Sequence, residues 1–166
     1  MRTVDFIRTC LDGSARGTLQ LIEDMKDIPF TFPTPKGGNH PLWVLGHLVW
    51  SEGQVVQQFM LGQPNPVGHW ASLFGIGSEV SAEPSRYPPF DEIHKTFLNL
   101  RAETLKVLDT LNDDDLDQPS KNCPPEFKQL LATYADCFRV VIYNTMNHRG
   151  QVADARRAAG RKRLRM

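Results

Sequence analysis

A long apolar stripe near the C-terminal end of this 166-residue chain constrains the fold more than any other feature. Apart from one adjacent pair of leucines, its members follow one another at steps of about three or four residues, the spacing of a helix face turned to a core. Gly160 comes after the last member and suits the left-handed position that closes a helix. The pattern predicts a long final helix whose buried face carries Phe127, Leu130, Leu131, Tyr134, Phe138, Val141, Thr145, His148, Val152, Ala155 and Ala159.

Three further amphipathic segments precede this helix. Their apolar spacing predicts helices over about Thr3–Met25, Pro41–Leu61 and Phe90–Leu111, with Asn39 as the cap of the second. The run from Pro29 to Gly38 is rich in proline and glycine and is predicted to be a loop. Four amphipathic helices without a convincing strand pattern favour an all-α fold, a four-helix bundle with long connections. A chain of this length is expected to form one domain over residues 1–166.

The connection over residues 63–89 contains many Gly, Pro and Ser residues but also large apolar side chains. Leaving an aromatic ring exposed forfeits roughly 1.5–3 kcal/mol of burial free energy. We therefore expect Trp70, Phe74 and Tyr87 to be buried against the bundle, with this connection closing one end of a cavity.

Composition limits the partners of the chain. The formal net charge is zero, which argues against a nucleic-acid partner. No stretch approaches the roughly 20 apolar residues of a membrane span. The three cysteines are far apart and form no CxxC motif, which is typical of a reducing compartment, and the N-terminal segment does not resemble a signal peptide. A cytoplasmic location is expected. The basic C-terminus is interpreted as solvated helix-end charge in preference to a polyanion-binding tail, which interleaved aromatics would have supported.

Two of the five histidines are candidates for chemistry. His148 occupies a position of the apolar stripe where a leucine would be expected, and His47 lies near the inner face of the second helix. A buried imidazole needs a hydrogen-bond partner or a metal ion. One inward histidine is more often a hydrogen-bonded core residue, but two on different helices favour a shared ligand role, because bundle cores bind metals through facing helices. The others are interpreted as cap, loop or outward-facing residues: His40, His69 and His94.

Asn144 precedes His148 by one helical turn, about 6 Å along the axis. Two ligands at that spacing can hold one ion, although an asparagine offers only a neutral amide oxygen, a weak ligand for zinc. Gln151 and Asp154 follow on the same helix and could orient an imidazole, or could simply be polar surface residues. Glu52 lies five residues beyond His47 and is a candidate base, although this spacing is not diagnostic.

Three segments carry a resemblance to a known family. They are HPLWVLGHLVWSE over residues 40–52, LFGIGS followed by YPPFDEI, and NTMNHRGQ over residues 144–151, which is similar to an HxxxHxGQ signature. Together they resemble the DinB/YfiT-like superfamily of small four-helix proteins. The resemblance implies a bundle in which three histidines bind a divalent metal, often nickel or zinc. His47 and His148 match two of the ligand positions, and Asn144 stands at the third.

Two functions follow from this resemblance. The first is a metal-dependent enzyme acting on a small-molecule substrate: a transferase that uses a low-molecular-weight thiol, or a related isomerase or hydrolase. In it His47, His148 and Asn144 are the candidate metal ligands, and Gln151 and Glu52 support them. The second is a catalytically inactive, metal-poor bundle that acts as a dimerising binding module. The first requires the two imidazoles to face one cavity.

Overall fold

The computed structural model describes residues 1–26 and 38–164. This part of the chain is helical and contains no strand, only an isolated bridge between Pro119 and Thr133. The prediction of an all-α fold is therefore confirmed. Most of the predicted loop over residues 29–38 lies outside the described residues. The α-helices of the described part are α1 (Thr3–Glu23), α2 (Pro41–Glu52), α3 (Ala71–Phe74), α4 (Phe90–Asp109) and α5 (Tyr134–Ala158).

Helix α2 does not continue as an α-helix to the predicted end near Leu61. At Gly53 it passes into a π-helix, Gly53–Met60. The side chain of Asn65 lies at this junction, where its Nδ2 donates to the Trp50 carbonyl at 3.1 Å. A Cβ at position 53 would collide with the Asn65 amide, so glycine makes this approach possible. A side chain that inserts into the hydrogen-bond ladder is a recognised cause of such a change.

Helix α5 begins later than the apolar stripe predicted. Its N-cap is Thr133, whose side chain and that of Asp136 form a reciprocal capping box. Phe127 instead ends a 3₁₀ turn, Pro125–Phe127, and Leu130 is 44% exposed. The other end agrees with the prediction, since the helix finishes at Ala158 and Gly160 has a φ of 74°.

The N-cap of α2 was predicted wrongly. The cap is His40, not Asn39, and the His40 Nδ1 accepts a hydrogen bond from the Trp43 backbone N–H at 3.0 Å. An imidazole nitrogen here replaces the side-chain oxygen that caps usually supply. The Asn39 side chain instead donates to Gln151 Oε1 at 3.0 Å.

The connection over residues 63–89 is fastened to one face of α2, and the burial of its aromatic residues is confirmed. Trp70, Phe74 and Tyr87 are 5%, 0% and 8% exposed. Three side chains with ring nitrogens hold it: the N-cap residue His40 and, three and seven residues further on, Trp43 and His47 of α2. They bond to carbonyls of the connection: His40 to Ser81, Trp43 to Leu73, and His47 to Phe74.

Among the described residues, no helix has both the length and the apolar character needed to cross a membrane. The three cysteines, Cys10, Cys123 and Cys137, are free thiols. Burial raises the pKa of Cys137 to about 11 and also raises that of Cys123. Neither group is therefore a thiolate at neutral pH, and neither is suited to act as a nucleophile.

The His40 cap predicts a pH dependence of stability. Because Nδ1 accepts from Trp43, the ring hydrogen must lie on Nε2, which donates to the Ser81 carbonyl at 2.9 Å. Burial lowers the pKa of His40 below its usual 6.5. The unfolded chain therefore binds the proton first as pH falls, so stability present above about pH 6.5 is lost below it.

We expect protonation of His40 to lower the free energy of unfolding by on the order of 1 kcal/mol, the usual contribution of an N-cap. The measurement is urea unfolding at about pH 7.5 and pH 5, comparing the wild type with His40→Asn, which retains a cap acceptor but cannot titrate. Equal losses in the two proteins would contradict this role for His40.

Candidate functional site

Helices α2 and α5 bring His47 and His148 together. The centroids of the two imidazole rings are 4.6 Å apart, and the residues are only 8% and 7% exposed. The rings are inclined at 58°, so this contact is not a parallel stack. The two histidines selected from the sequence thus share one place in the core.

Each ring is fixed through the same nitrogen. The Nδ1 of His47 lies 2.7 Å from the Phe74 carbonyl oxygen, and the Nδ1 of His148 lies 2.9 Å from Gln151 Oε1. Because both partners are acceptors, each Nδ1 carries the hydrogen and donates it. The neutral ring then has its lone pair on Nε2, as in metal-binding histidines whose other ring nitrogen donates to a protein oxygen.

Burial keeps both imidazoles neutral. It lowers the pKa of His47 to about 4, an effect partly opposed by the Phe74 carbonyl and slightly increased by His148. It also lowers the pKa of His148, against a smaller opposite effect of Gln151. At neutral pH both side chains are therefore unprotonated, as a metal ligand must be.

Further contacts hold the rings in place. The indole of Trp43 stacks on His47 with centroids 4.8 Å apart and planes 8° from parallel. Gln151, which was expected to orient an imidazole, contacts His148 and is itself held by Asn39. Asn39 and Trp43 were not recognised from the sequence. Trp43 lies four residues before His47, and this spacing could have indicated the contact between the two rings.

The third ligand position is occupied differently. The side-chain nitrogen of Asn144 donates to Ser51 Oγ at 2.8 Å, which links α5 to α2. Within the described ranges, no group of three or more His, Cys, Asp or Glu side chains is arranged to hold a metal ion. His40 cannot supply the missing imidazole, because both of its ring nitrogens are engaged. His69 and His94 lie against Trp70 and Phe90.

The two imidazoles nevertheless fit a metal ion. With metal–nitrogen distances of about 2.0–2.1 Å, two imidazoles on one ion place their ring centres roughly 5 Å apart. The observed separation of 4.6 Å, the neutral rings and the Nδ1 donors all agree with that arrangement. The donor set would therefore suit a metal ion held by His47 and His148.

Glu52 and Asp154 have other partners. The Glu52 carboxylate accepts hydrogen bonds from Arg101 Nε at 2.9 Å and from Arg101 Nη2 at 2.8 Å. Both side chains are buried. Five residues along a helix correspond to a rotation of about 140°, so Glu52 points away from the face that carries His47. The candidate base is thus part of a buried ion pair with α4. Asp154 pairs with Arg157 on the exposed surface of α5.

A pocket of about 220 Å³ opens beside His47, and His148 is not among its described lining residues. Four polar residues lie along it: His47, Ser51, Gln54 and Asn144. The Oε1 atom of Gln54 is buried without a hydrogen-bond partner in the described part of the chain. The other walls are apolar, which suits a small apolar molecule. Apart from Trp50, they consist of Val55, Phe59, Ile76, Phe127, Leu130, Leu131, Val140 and Val141.

Comparison with known proteins gives a family. The family model of the DinB superfamily matches residues 11–152, a range that includes the histidine pair and the connection that covers it. This superfamily is generally associated with metals. No curated protein matches the chain.

Proposed function

Because the chain belongs to the DinB superfamily, we propose that it binds a divalent metal ion, nickel or zinc, through His47 and His148. We further propose that it acts on a small substrate, as a transferase using a low-molecular-weight thiol or as a related isomerase or hydrolase. The observation that supports metal binding is the geometry of the pair. Two neutral rings 4.6 Å apart each donate through Nδ1 to a protein oxygen.

Such an ion, when bound, lowers the pKa of a coordinated thiol or water and so supplies a nucleophile at neutral pH. The residues of the chain have complementary tasks. The Phe74 carbonyl and Gln151 hold the rings in one tautomer, and Trp43 packs against His47 to exclude water. Asn144 contributes at most a neutral amide oxygen, so we expect weaker metal binding than three imidazoles would give.

The pocket sets the class of substrate. Its volume of about 220 Å³ and its apolar walls suit a small molecule with an apolar body, whose reactive end would lie near His47 and Asn144. The unpaired Gln54 Oε1 favours a substrate with a hydrogen-bond donor. A small electrophile of this kind is the expected acceptor of a thiol.

One observation favours the second function, a dimerising module without catalysis. Apolar side chains are exposed at the pocket and on α5 next to Asn144: Ile76 is 79% exposed, Leu130 44% and Tyr143 71%. An exposed apolar patch formed by such residues would be typical of a surface that binds a partner. We propose a homodimer as the form this function would take, with the histidines serving only as core residues.

Metal content distinguishes the two functions. Elemental analysis of protein purified without an affinity tag, followed by titration calorimetry of the apo-protein with zinc and nickel, should show one ion per chain. We expect His47→Ala and His148→Ala each to weaken binding at least about tenfold, with His69→Ala as the control that leaves it unchanged. Absence of binding, or equal binding by all four proteins, would refute the metal proposal.

A further inference from the structure

The hydrogen bond that fixes His148 belongs to a longer chain of side chains. Gln151 Oε1, which lies 2.9 Å from His148 Nδ1, also accepts a hydrogen bond from Asn39 Nδ2 at 3.0 Å. One amide oxygen thus receives two donors, one from α5 itself and one from the segment before α2. We call these three side chains the relay: Asn39, Gln151 and His148. The first two are half-buried and His148 is buried.

Asn39 is placed by the residue that follows it. His40 is only 1% exposed, and its Nδ1 accepts from the Trp43 backbone N–H at 3.0 Å. Its Nε2 donates to the Ser81 carbonyl at 2.9 Å. The start of α2 is therefore held both to the helix and to the connection that covers it. This anchoring keeps the Asn39 side chain against Gln151, although the two residues are 112 positions apart in the chain.

Nearness alone does not fix how Gln151 faces His148. The two residues are three positions apart on α5, so their side chains are neighbours on one helix face. A glutamine amide, however, has an oxygen that accepts and an NH₂ group that donates, and either can be turned toward the ring. A second partner of the amide must decide between them.

The relay has two self-consistent arrangements. In the observed one, the Gln151 oxygen faces both neighbours, so Asn39 and His148 Nδ1 both donate to it. In the reversed one, the Gln151 NH₂ group would donate to His148 Nδ1 and to Asn39 Oδ1. The ring hydrogen of His148 would then lie on Nε2, which would have no lone pair for a metal. A reversal of Gln151 alone would set donor against donor at both ends, so the three groups change together.

His47 has no such dependence. Its Nδ1 donates to the Phe74 backbone carbonyl at 2.7 Å, and a carbonyl oxygen can only accept. Of the two imidazoles, only that of His148 has a tautomer that depends on the orientation of a side-chain amide.

We propose that Asn39 is a positioning residue of the histidine site, which keeps His148 in the metal-binding tautomer by setting the orientation of the Gln151 amide. The consequence for metal affinity rests on the proposed function. The coupling between Asn39 and the tautomer of His148 does not, because it exists in the metal-free protein and can be measured there.

The test is nitrogen-15 NMR of the histidine rings in the metal-free full chain, at about pH 8, where the rings are neutral. The two ring nitrogens are distinct, so the spectrum shows which one carries the hydrogen. Asn39→Asp replaces the donor by a carboxylate that can only accept, so Gln151 should reverse and the His148 hydrogen should move from Nδ1 to Nε2. His47 should keep its hydrogen on Nδ1. Zinc affinity, measured by titration calorimetry, should fall at least about tenfold.

Asn147→Asp is the matched control. It makes the same change one residue before His148, at an exposed position of α5 outside the relay. It adds a charge near the site but leaves the Gln151 hydrogen bonds in place. The tautomer of His148 and the zinc affinity should therefore be those of the wild type.

A second pair of variants separates amide orientation from packing. Asn39→Ala removes the donor, so Gln151 can take either orientation and both tautomers of His148 should be present. In a Gln151→Glu background the carboxylate accepts in every orientation, so adding Asn39→Ala should leave the hydrogen on Nδ1. An equal change in both backgrounds would mean that Asn39 acts only by packing and would overturn the proposal.

Retention of the His148 hydrogen on Nδ1 in Asn39→Asp would also overturn it, as would the same tautomer change in Asn147→Asp. A tautomer change confined to Asn39→Asp, in a protein that binds no metal, would support the coupling and refute the metal proposal. The two failures are thus distinguishable.

Discussion

Replacing Asn144 by histidine should raise the affinity of the protein for zinc or nickel at least about 100-fold, equal to roughly 2.7 kcal/mol. Position 144 lies one helical turn before His148, and its side chain already reaches α2 at Ser51. The substitution exchanges a weak amide donor for an imidazole in a place where two imidazoles are fixed in the ligating tautomer. Titration calorimetry of the apo-proteins with each metal measures the effect.

Two variants control for the new imidazole. Asn147→His introduces the same side chain at an exposed position of α5 and should leave the affinity unchanged. In the double variant Asn144→His, His148→Ala most of the gain should vanish, because neighbouring ligands act together. An unchanged affinity in Asn144→His would contradict our view that position 144 is the weak point of the site.

The same substitution has a structural consequence. Asn144 Nδ2 donates to Ser51 Oγ in a partly buried contact, and its loss should destabilise the metal-free protein by about 1 kcal/mol. Metal would then stabilise Asn144→His more than it stabilises the wild type.

The helical fold could be predicted from the sequence because its signal is local. Apolar spacing located the four longer helices, and the aromatic residues of the connection indicated that it would be buried. The start of α5 was predicted too early, because the apolar stripe continues upstream of Tyr134. Its upstream members Phe127, Leu130 and Leu131 lie in a 3₁₀ turn and a loop, outside the helix. The capping box at Thr133 and Asp136 was the better signal.

The candidate site could be predicted only in part. His47 and His148 are polar residues on apolar faces, which makes them conspicuous in the sequence. Their hydrogen-bond partners are not equally visible, since the Phe74 carbonyl is a backbone atom of a distant segment. A backbone acceptor has no sequence signature, so the tautomer of His47 could be learned only from the structure.

Glu52 shows the limit of reasoning from nearness in sequence. It was considered a supporting residue because it follows His47 on the same helix. The structure pairs it with Arg101 of α4, which also donates to the Leu11 carbonyl of α1. Long-range pairs of this kind join α1, α2 and α4, and no spacing along one helix could indicate them.

Gly46→Ala should lower the free energy of unfolding by roughly 3 kcal/mol, although alanine is intrinsically the better helix former by about 1 kcal/mol. A Cβ at position 46 would lie less than 3.0 Å from three atoms of the Phe74 ring, and this ring is fully buried. Because Phe74 also supplies the carbonyl that receives the His47 hydrogen bond, its displacement should weaken metal binding as well. Thermal unfolding should show a midpoint lower by about 6–12 °C.

Gly13→Ala is the matched substitution in a helix with free space. Gly13 is exposed in α1, and a Cβ there would have no neighbour within 4 Å. The higher helix propensity of alanine is then the main effect of the substitution. This variant should be more stable than the wild type by up to about 1 kcal/mol, with metal binding unchanged. The two glycine variants should thus change stability in opposite directions. If Gly46→Ala were as stable as Gly13→Ala, the close packing of Phe74 on α2 could not be what holds the connection over the histidine site.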